Sequence, residues 1–198
     1  MTQVKLNKAS LSLKQRDLKN YQRYLPSLEL KRKKLLSERN VLDEQIIALK
    51  AKKNQLQDHI QSNFPMVAES INLLKQFIQI EHIDISEENI VGVKLPIFNS
   101  VKFKIADYSY LNSPHWFDPF INSICSLVEI DLQINVALSR SQLLAKSIQT
   151  VTQRKNLFEK VLIPTTVKHI RLIQIFLADN ERAAVVRSKL AKKKRQLM

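Results

Sequence analysis

Residues 25–56, "LPSLELKRKKLLSERNVLDEQIIALKAKKNQL", decide the fold. Leucine stands at 28, 35, 42, 49 and 56, once every seven residues, and Tyr21 carries the row back toward the N-terminus. Three residues earlier in each heptad runs a companion row of Val4, Leu11, Leu18 and Leu25, then Arg32, Arg39, Ile46, Lys53 and Ile60. An apolar repeat averaging about 3.5 residues keeps one stripe of a helix turned toward one partner, the pattern of a left-handed coiled coil.

The distal part of the chain repeats the pattern. One row holds Phe120, Leu127, Ile134, Ile148, Leu162, Phe176, Ala183 and Leu190; its companion holds Ile130, Ala137, Leu144, Val151, Phe158, Leu172 and Val186. Both rows keep step through Pro164, with no turn residue beside it, so the sequence predicts a helix that kinks at Pro164 and continues. Two separate helices meeting at Pro164 are the alternative. At about 1.5 Å per residue the two segments measure roughly 85 Å and 105 Å. Each leucine-sized side chain buried contributes about 1.5–3 kcal/mol, which an unpartnered stripe forgoes. Two stretches of similar length at opposite ends of one chain satisfy each other as an antiparallel pair. The polar seam positions Arg32, Arg39, Lys53, Lys155 and His169 read as side chains that lay their stems on the seam and send their heads to water. A seam loosened there for a second subunit is the other reading.

Between the helices the period changes. After a short helical stretch at 66–80 comes "ISEENIVGVKLPIFNSVKFKIADYSY", residues 85–110, in which β-branched and aromatic residues alternate with polar ones. Gly92 and Pro96 punctuate two or three short strands, read as a hairpin. Ser113 followed by Pro114 reads as an N-cap and first helical position. The expected fold is therefore all-α dominated: a long antiparallel two-helix coiled coil with a small central knob containing a β-hairpin. Residues 1–62 form the first helix, 63–118 the knob and 119–198 the second helix, with 1–62 and 119–198 paired as one coiled coil.

Composition agrees with few turns, since the 198 residues include a single glycine, Gly92. A hydrophobic share of 44% suffices for a core. The net charge of +14 points to an acidic partner surface, nucleic acid or anionic lipid. It is unevenly spread, at +8 over residues 1–60, −3 over 61–119 and +9 over 120–198. Cys125 is alone, so no disulfide framework exists and a reducing interior fits best. The opening "MTQVKLNKAS" has no apolar run of the kind a signal peptide needs. The most apolar stretch, 161–178, contains Lys168, His169 and Arg171 and falls short of a membrane span.

Chemistry-bearing constellations are absent from the pattern. His59, His82, His115 and His169 show no metal-ligand spacing, one glycine cannot build a phosphate-cradling loop, and Asp43-Glu44 and Glu87-Glu88 read as solvated surface. No catalytic residue, cofactor or metal is expected. The aromatic run "YSYLNSPHWFDPF", residues 108–120, offers two readings. Trp116, Phe117 and Phe120 are a small core pinning the knob to the coiled coil, or Trp116 and Phe117, with Gly92 and Pro96, belong to a docking patch. The basic tail "KLAKKKRQLM" suits the C-terminal end of a helix dipole. A binder of single-stranded nucleic acid would interleave aromatics among its basic residues, and here they lie in the acidic middle.

The run "RKNLFEKVLIPTTVKHIRLIQIFLADNER", residues 154–182, resembles the C-terminal signature of the D subunit, the central rotor axle of V-type and A-type ATPases, in a bacterial branch. Arg154, Asn156, Glu159, Val161, Leu162, Ile163, Pro164, Ile170, Arg171, Ile173, Leu177, Glu181 and Arg182 carry the resemblance. "LNKASLSLKQRDLK" at 6–19 is similar to that family's basic opening helix, and "NIVGVKLP" at 89–96 to its central segment. Phe158, Thr165 and Pro26 depart from the family pattern.

The resemblance implies a non-catalytic rotor subunit that transmits torque between an ATPase hexamer and an ion-translocating membrane sector. It implies as partners the catalytic and non-catalytic subunits of the hexamer, a small central-stalk subunit and a membrane-sector connector subunit. Cytoplasmic placement, peripheral to the membrane as part of a membrane-bound complex, follows, with neither nucleic-acid binding nor membrane insertion. Arg154, Lys160, Lys168, Arg171, Arg182 and Lys189 are the expected hexamer contacts. A basic coiled-coil adaptor or nucleic-acid-binding protein is the alternative.

Overall fold

The computed structural model describes residues 5–65, 78–106 and 114–196. Helix α1 (Lys8–Asn63) is followed by strands β1 (Ile78–Ile90) and β2 (Val93–Ile105), and then by helix α2 (Phe117–Leu157). A π-helical turn (Phe158–Leu162) leads directly into helix α3 (Ile163–Gln196). Two long helices and a two-stranded antiparallel hairpin are thus the fold expected from the heptads. The chain divides into two compact units, Met1–Arg32 with Thr150–Met198, and Lys33–Gln149.

In the first unit α1 starts at an Asn7 cap, whose side-chain Oδ1 accepts the Ser10 N–H at 2.7 Å. Pro26 lies inside α1 and the helix continues through it, although a proline withholds one backbone hydrogen bond and costs about 3 kcal/mol in a helix interior. Leu25 and Leu28 on either side are half-buried in the seam, and that packing offsets the loss. The distal helix runs antiparallel to α1 here: Tyr21 meets Phe158 edge-on with centroids 5.4 Å apart, and Glu29 pairs with Lys155 at 2.8 Å.

In the second unit the residues that meet again fall on one helix as they rise on the other. Asp43 accepts the Ser141 hydroxyl, Lys53 pairs with Asp131 at 2.6 Å, and the Phe64 and Phe120 rings meet at 5.4 Å. Leu35 and Leu144 are wholly buried, with Leu42, Ile46, Ile134 and Ala137 nearly so. At one end Phe117, Phe120 and Ile121 form a cluster, against which Ile60, Phe64, Ile78 and Trp116 pack.

Two expectations about helix ends change. Residues 78–80, read as helical, belong to β1; the rest of that stretch lies outside the described residues, as does Ser113. Pro114 precedes α2 instead of opening it: its carbonyl accepts the Phe117 N–H at 3.0 Å in a turn, and α2 starts at Phe117. The strands are also longer than predicted, at 13 residues each.

The hairpin pairs Ile78 with Ile105 at its base and Ile90 with Val93 at its tip, with irregularities at Ile80/His82 and Asp84/Ile85. At the base, Ile78, Ile80, Ile83 and Ile85 share one face with Ile105, Phe103, Val101 and Phe98. Near the tip the apolar side is the opposite face, with Ile90 and Leu95 buried. Bulges sharpen a ribbon's right-handed twist, yet the base face stays partly open, with Ile80, Ile85 and Ile105 exposed. The tip face bears Glu88, which binds Arg140 of α2 at 2.8 Å. Val91 and Gly92 close the hairpin with φ of 52° and 80°, and the Asn89 side chain accepts the Gly92 N–H at 2.8 Å. Consecutive positive φ values are those of a type I′ turn, which matches strand twist and is why the one glycine stands here.

The helix Phe117–Gln196 contains an 18-residue stretch of mean hydropathy 1.4, long and apolar enough to cross a membrane, where the sequence reading judged such a stretch to fall short. The 161–178 stretch carries Lys168 and Arg171, each costly at a bilayer centre.

Candidate functional site

The six cations at 154–189 that the resemblance singles out all lie on the first unit's distal helix, exposed. Arg154 ends α2, Lys160 lies in the π turn, and Lys168, Arg171, Arg182 and Lys189 follow on α3. At about 100° per residue, the last four lie roughly 160–220° around the axis from Ile173, which is wholly buried. They therefore form one basic strip on the side of α3 turned away from its packing face. Lys160 stands similarly opposite Val151, whereas Arg154 flanks the seam. Arg182 is 3.7 Å from Asp179, a surface pair contributing little. From 179 to 196 every residue is exposed, including Val185, Val186 and Leu190. Arg187, Lys189, Lys192, Lys193, Lys194 and Arg195 concentrate positive charge at the helix C-terminus, where the macrodipole favours it.

The phase of the packing face departs from the sequence reading. Through Phe158 every seam position of the two predicted rows is buried or half-buried. Beyond it the predicted Leu172 and Phe176 are 52% and 40% exposed, while Ile173 is fully buried, Thr166 is 6% exposed and Leu177 is half-buried. The rows do not keep step through Pro164; the buried line moves by one residue. The π turn is the cause. Its widened turn holds one extra residue, and the Ile163 N–H reaches back to the Phe158 carbonyl, five residues earlier. In an α-helix the Pro164 ring would strike the Lys160 carbonyl. Widening the preceding turn removes that clash without breaking the helix. No residue from Phe117 to Gln196 leaves helical geometry, which disposes of two separate helices meeting at Pro164. Just beyond, Thr166 Oγ1 donates to the Leu162 carbonyl at 2.7 Å, giving the buried hydroxyl a partner.

Three of the five polar seam residues, Lys53, Arg39 and Lys155, lie against carboxylates rather than only extending to water, and His169 is half-buried. Lys155 contacts Glu29 at 2.8 Å and Glu159 at 3.7 Å. The hydrogen bond to Glu29 raises the Lys155 pKa above the ordinary lysine value; desolvation and the neighbouring Arg32 oppose the rise. Lys53 has Asp131, and Arg39 approaches Asp43 at 3.6 Å, too long for a hydrogen bond; the buried Nε atoms of Arg39 and of Arg32 have no hydrogen-bond partner. Sequence reading named these cations but missed their acidic partners. A signal was there: 29 and 155, 43 and 141, 53 and 131, and 64 and 120 are each equally distant along the chain from Gly92.

The other named residues lie in the second unit. Gly92 is exposed in the hairpin turn and Pro96 half-buried on β2. Phe117 is buried and Trp116 half-buried, 6.1 Å from the Phe120 ring, in the cluster described above. Burial also raises the Cys125 thiol pKa there. Tyr108 and Tyr110 lie outside the described residues.

A family model for the ATP synthase D subunit matches residues 10–193. The chain is 32% identical to a V-type ATP synthase D subunit of Borreliella burgdorferi over 192 residues, 97% of this chain and 95% of that protein. It is 34% identical to the protein of that name from Chlamydia pneumoniae, over 98% of this chain and 94% of the relative. For the Chlamydia muridarum relative the identity is 32%, over 98% and 97%.

Proposed function

The chain belongs to the D subunit family of ATP synthases, and from that premise we propose that it is the central-stalk rotor subunit of a V/A-type rotary ATPase or ATP synthase. In this role it transmits torque between the ATPase hexamer and the ion-translocating membrane sector. It performs no nucleotide chemistry itself; catalysis belongs to the hexamer. Its partners are the catalytic and non-catalytic hexamer subunits, a small central-stalk subunit and a connector to the membrane sector. The assembly places it in the cytoplasm, peripheral to the membrane. The alternative of a basic adaptor or nucleic-acid binder finds no support in the family match.

The observation that carries this reading is the paired helices in each unit, joined to an exposed basic helix end that nothing described covers. In the proposed rotor, residues 1–62 and 119–198 act as one coiled coil and 63–118 as the knob, which docks through the hairpin turn at Gly92 and Pro96, while Trp116 and Phe117 hold the base of the hairpin in the aromatic cluster. Two helices zipped along a seam resist twisting better than one, as a torque carrier requires. Arg154, Lys160, Lys168, Arg171, Arg182 and Lys189 meet the hexamer lining. Several exposed, screened contacts worth about 0–1 kcal/mol each let a shaft slip from one angle to the next, where a few strong ones would hold it. A kink at Pro164 makes the shaft eccentric, so that it offers a different face to each catalytic site.

Reconstitution with the hexamer subunits tests this. The chain should remain bound in moderate salt, and changing the six cations together to glutamine should lower the ratio of rotation to ATP hydrolysis. An unchanged ratio, or a chain that does not join the hexamer, contradicts the proposal.

A further inference from the structure

Two rows of comparable character run down α3, one residue apart. The buried or half-buried one is Leu162, Thr166, Ile170, Ile173 and Leu177. The other is Leu162, Thr165, His169, Leu172 and Phe176, which continues the α2 heptads with no offset but leaves Leu172 and Phe176 at 52% and 40% exposure. Each row contains one threonine and a set of large side chains. The rows differ most where the observed one has Ile170 and the in-step one the polar ring of His169; the other swaps conserve apolar volume and cost little, so burial favours the observed seating only modestly. The backbone provides the preference. The in-step row needs α-helical geometry through 158–164, where the Pro164 ring meets the Lys160 carbonyl. The observed row needs one extra residue upstream, which the Phe158–Leu162 turn holds.

We infer that residues 158–164 are a register switch, in which the π turn set by Pro164 selects one of two seatings of α3 against α1. The two differ by a rotation of about 100° and a slide of about 1.5 Å, the step of one helical residue. Lys168, Arg171, Arg182 and Lys189 ride on α3, so the seating also sets the direction the basic strip faces. One-residue bulges of this kind are single-turn features that add or drop a residue without dissolving the helix. The inference concerns the chain alone and stands whether or not it turns inside a hexamer.

The test uses the full chain carrying Cys125→Ser, with single cysteines at Leu172→Cys or Ile173→Cys, and reads the rate of maleimide labelling. With Pro164 present, position 172 should label about tenfold or more faster than 173, because a buried thiol reacts only through local opening. Adding Pro164→Ala should let the turn close to α-helix and reverse the order. Deleting Val161 in that variant removes the extra residue and should restore protection at 173, because the downstream phase then matches the observed one without a π turn. An unchanged order in Pro164→Ala overturns the inference. So does loss of protection at both positions that the Val161 deletion fails to repair, since Pro164 would then hold α3 in place instead of choosing its phase.

Discussion

The unit Lys33–Gln149 and the unit of Met1–Arg32 with Thr150–Met198 use one heptad pattern for different ends. The former contains Leu35, Leu95, Ile121 and Leu144 at under 2% exposure, a cluster around Phe120, and a hairpin tied to α2 by Glu88 and Arg140. In the latter, Val151, Thr166 and Ile173 are the buried ones among the described residues, and 179–196 is exposed throughout. Apolar burial stabilises the first, while the second exposes cations and apolar side chains beyond what its own stability requires. A working surface that must meet another molecule is built from residues the fold does not consume.

The largest effect that sharpens this contrast is expected at the aromatic cluster. Phe120→Ala should lower the unfolding free energy by about 3–5 kcal/mol in urea titration, whereas removing 179–196 should change it by less than about 0.5 kcal/mol. Equal losses would break the comparison. Next comes the seam itself: Leu144→Ala should cost about 2–5 kcal/mol and Leu172→Ala about 0.5 kcal/mol or less. A large cost at Leu172 would mean that the in-step row is the buried one. The hairpin turn should show a smaller effect of either sign. Gly92→Ala should destabilise by about 1–2 kcal/mol, since an alanine Cβ clashes at positive φ. Val91→Asn should raise the melting temperature, because asparagine tolerates that region better than a β-branched residue.

The smallest effect is a pH dependence confined to alkaline solution. The Lys155 pKa is raised by Glu29, so its contribution is fully present below the ordinary lysine value of about 10.4 and is lost as pH climbs through the higher folded value. Melting temperatures compared between about pH 9 and 12 should fall less steeply in Glu29→Gln than in the parent, with the neutral range unaffected. Identical slopes would remove Lys155 as the titrating group.

Much of the architecture was legible in the residues. Leu35, Leu42, Ile46, Ile134, Ala137, Leu144 and Val151 all fell on rows read from seven-residue spacing, because seam burial repeats with the side chains that cause it. The offset beyond Phe158 was not legible from those rows. A π turn is a backbone response to the missing N–H and the ring of Pro164, and an apolar count registers neither. The faint trace was the second row, Thr166, Ile170, Ile173 and Leu177, lying beside the first. Strand lengths were missed for a related reason, since bulges at Ile80/His82 and Asp84/Ile85 interrupt the two-residue alternation that reveals a strand. The cations of the site were legible as residue types. Their common face on α3 could be drawn only once Ile173 fixed which side is buried.

Rotation is the central claim, and it is directly observable. A probe attached through Lys94→Cys on the exposed hairpin, in Cys125→Ser chain assembled with an immobilised hexamer, should turn in one direction when ATP is supplied and stop when it is withdrawn. ATP consumption by the assembled complex with a motionless probe would contradict the account.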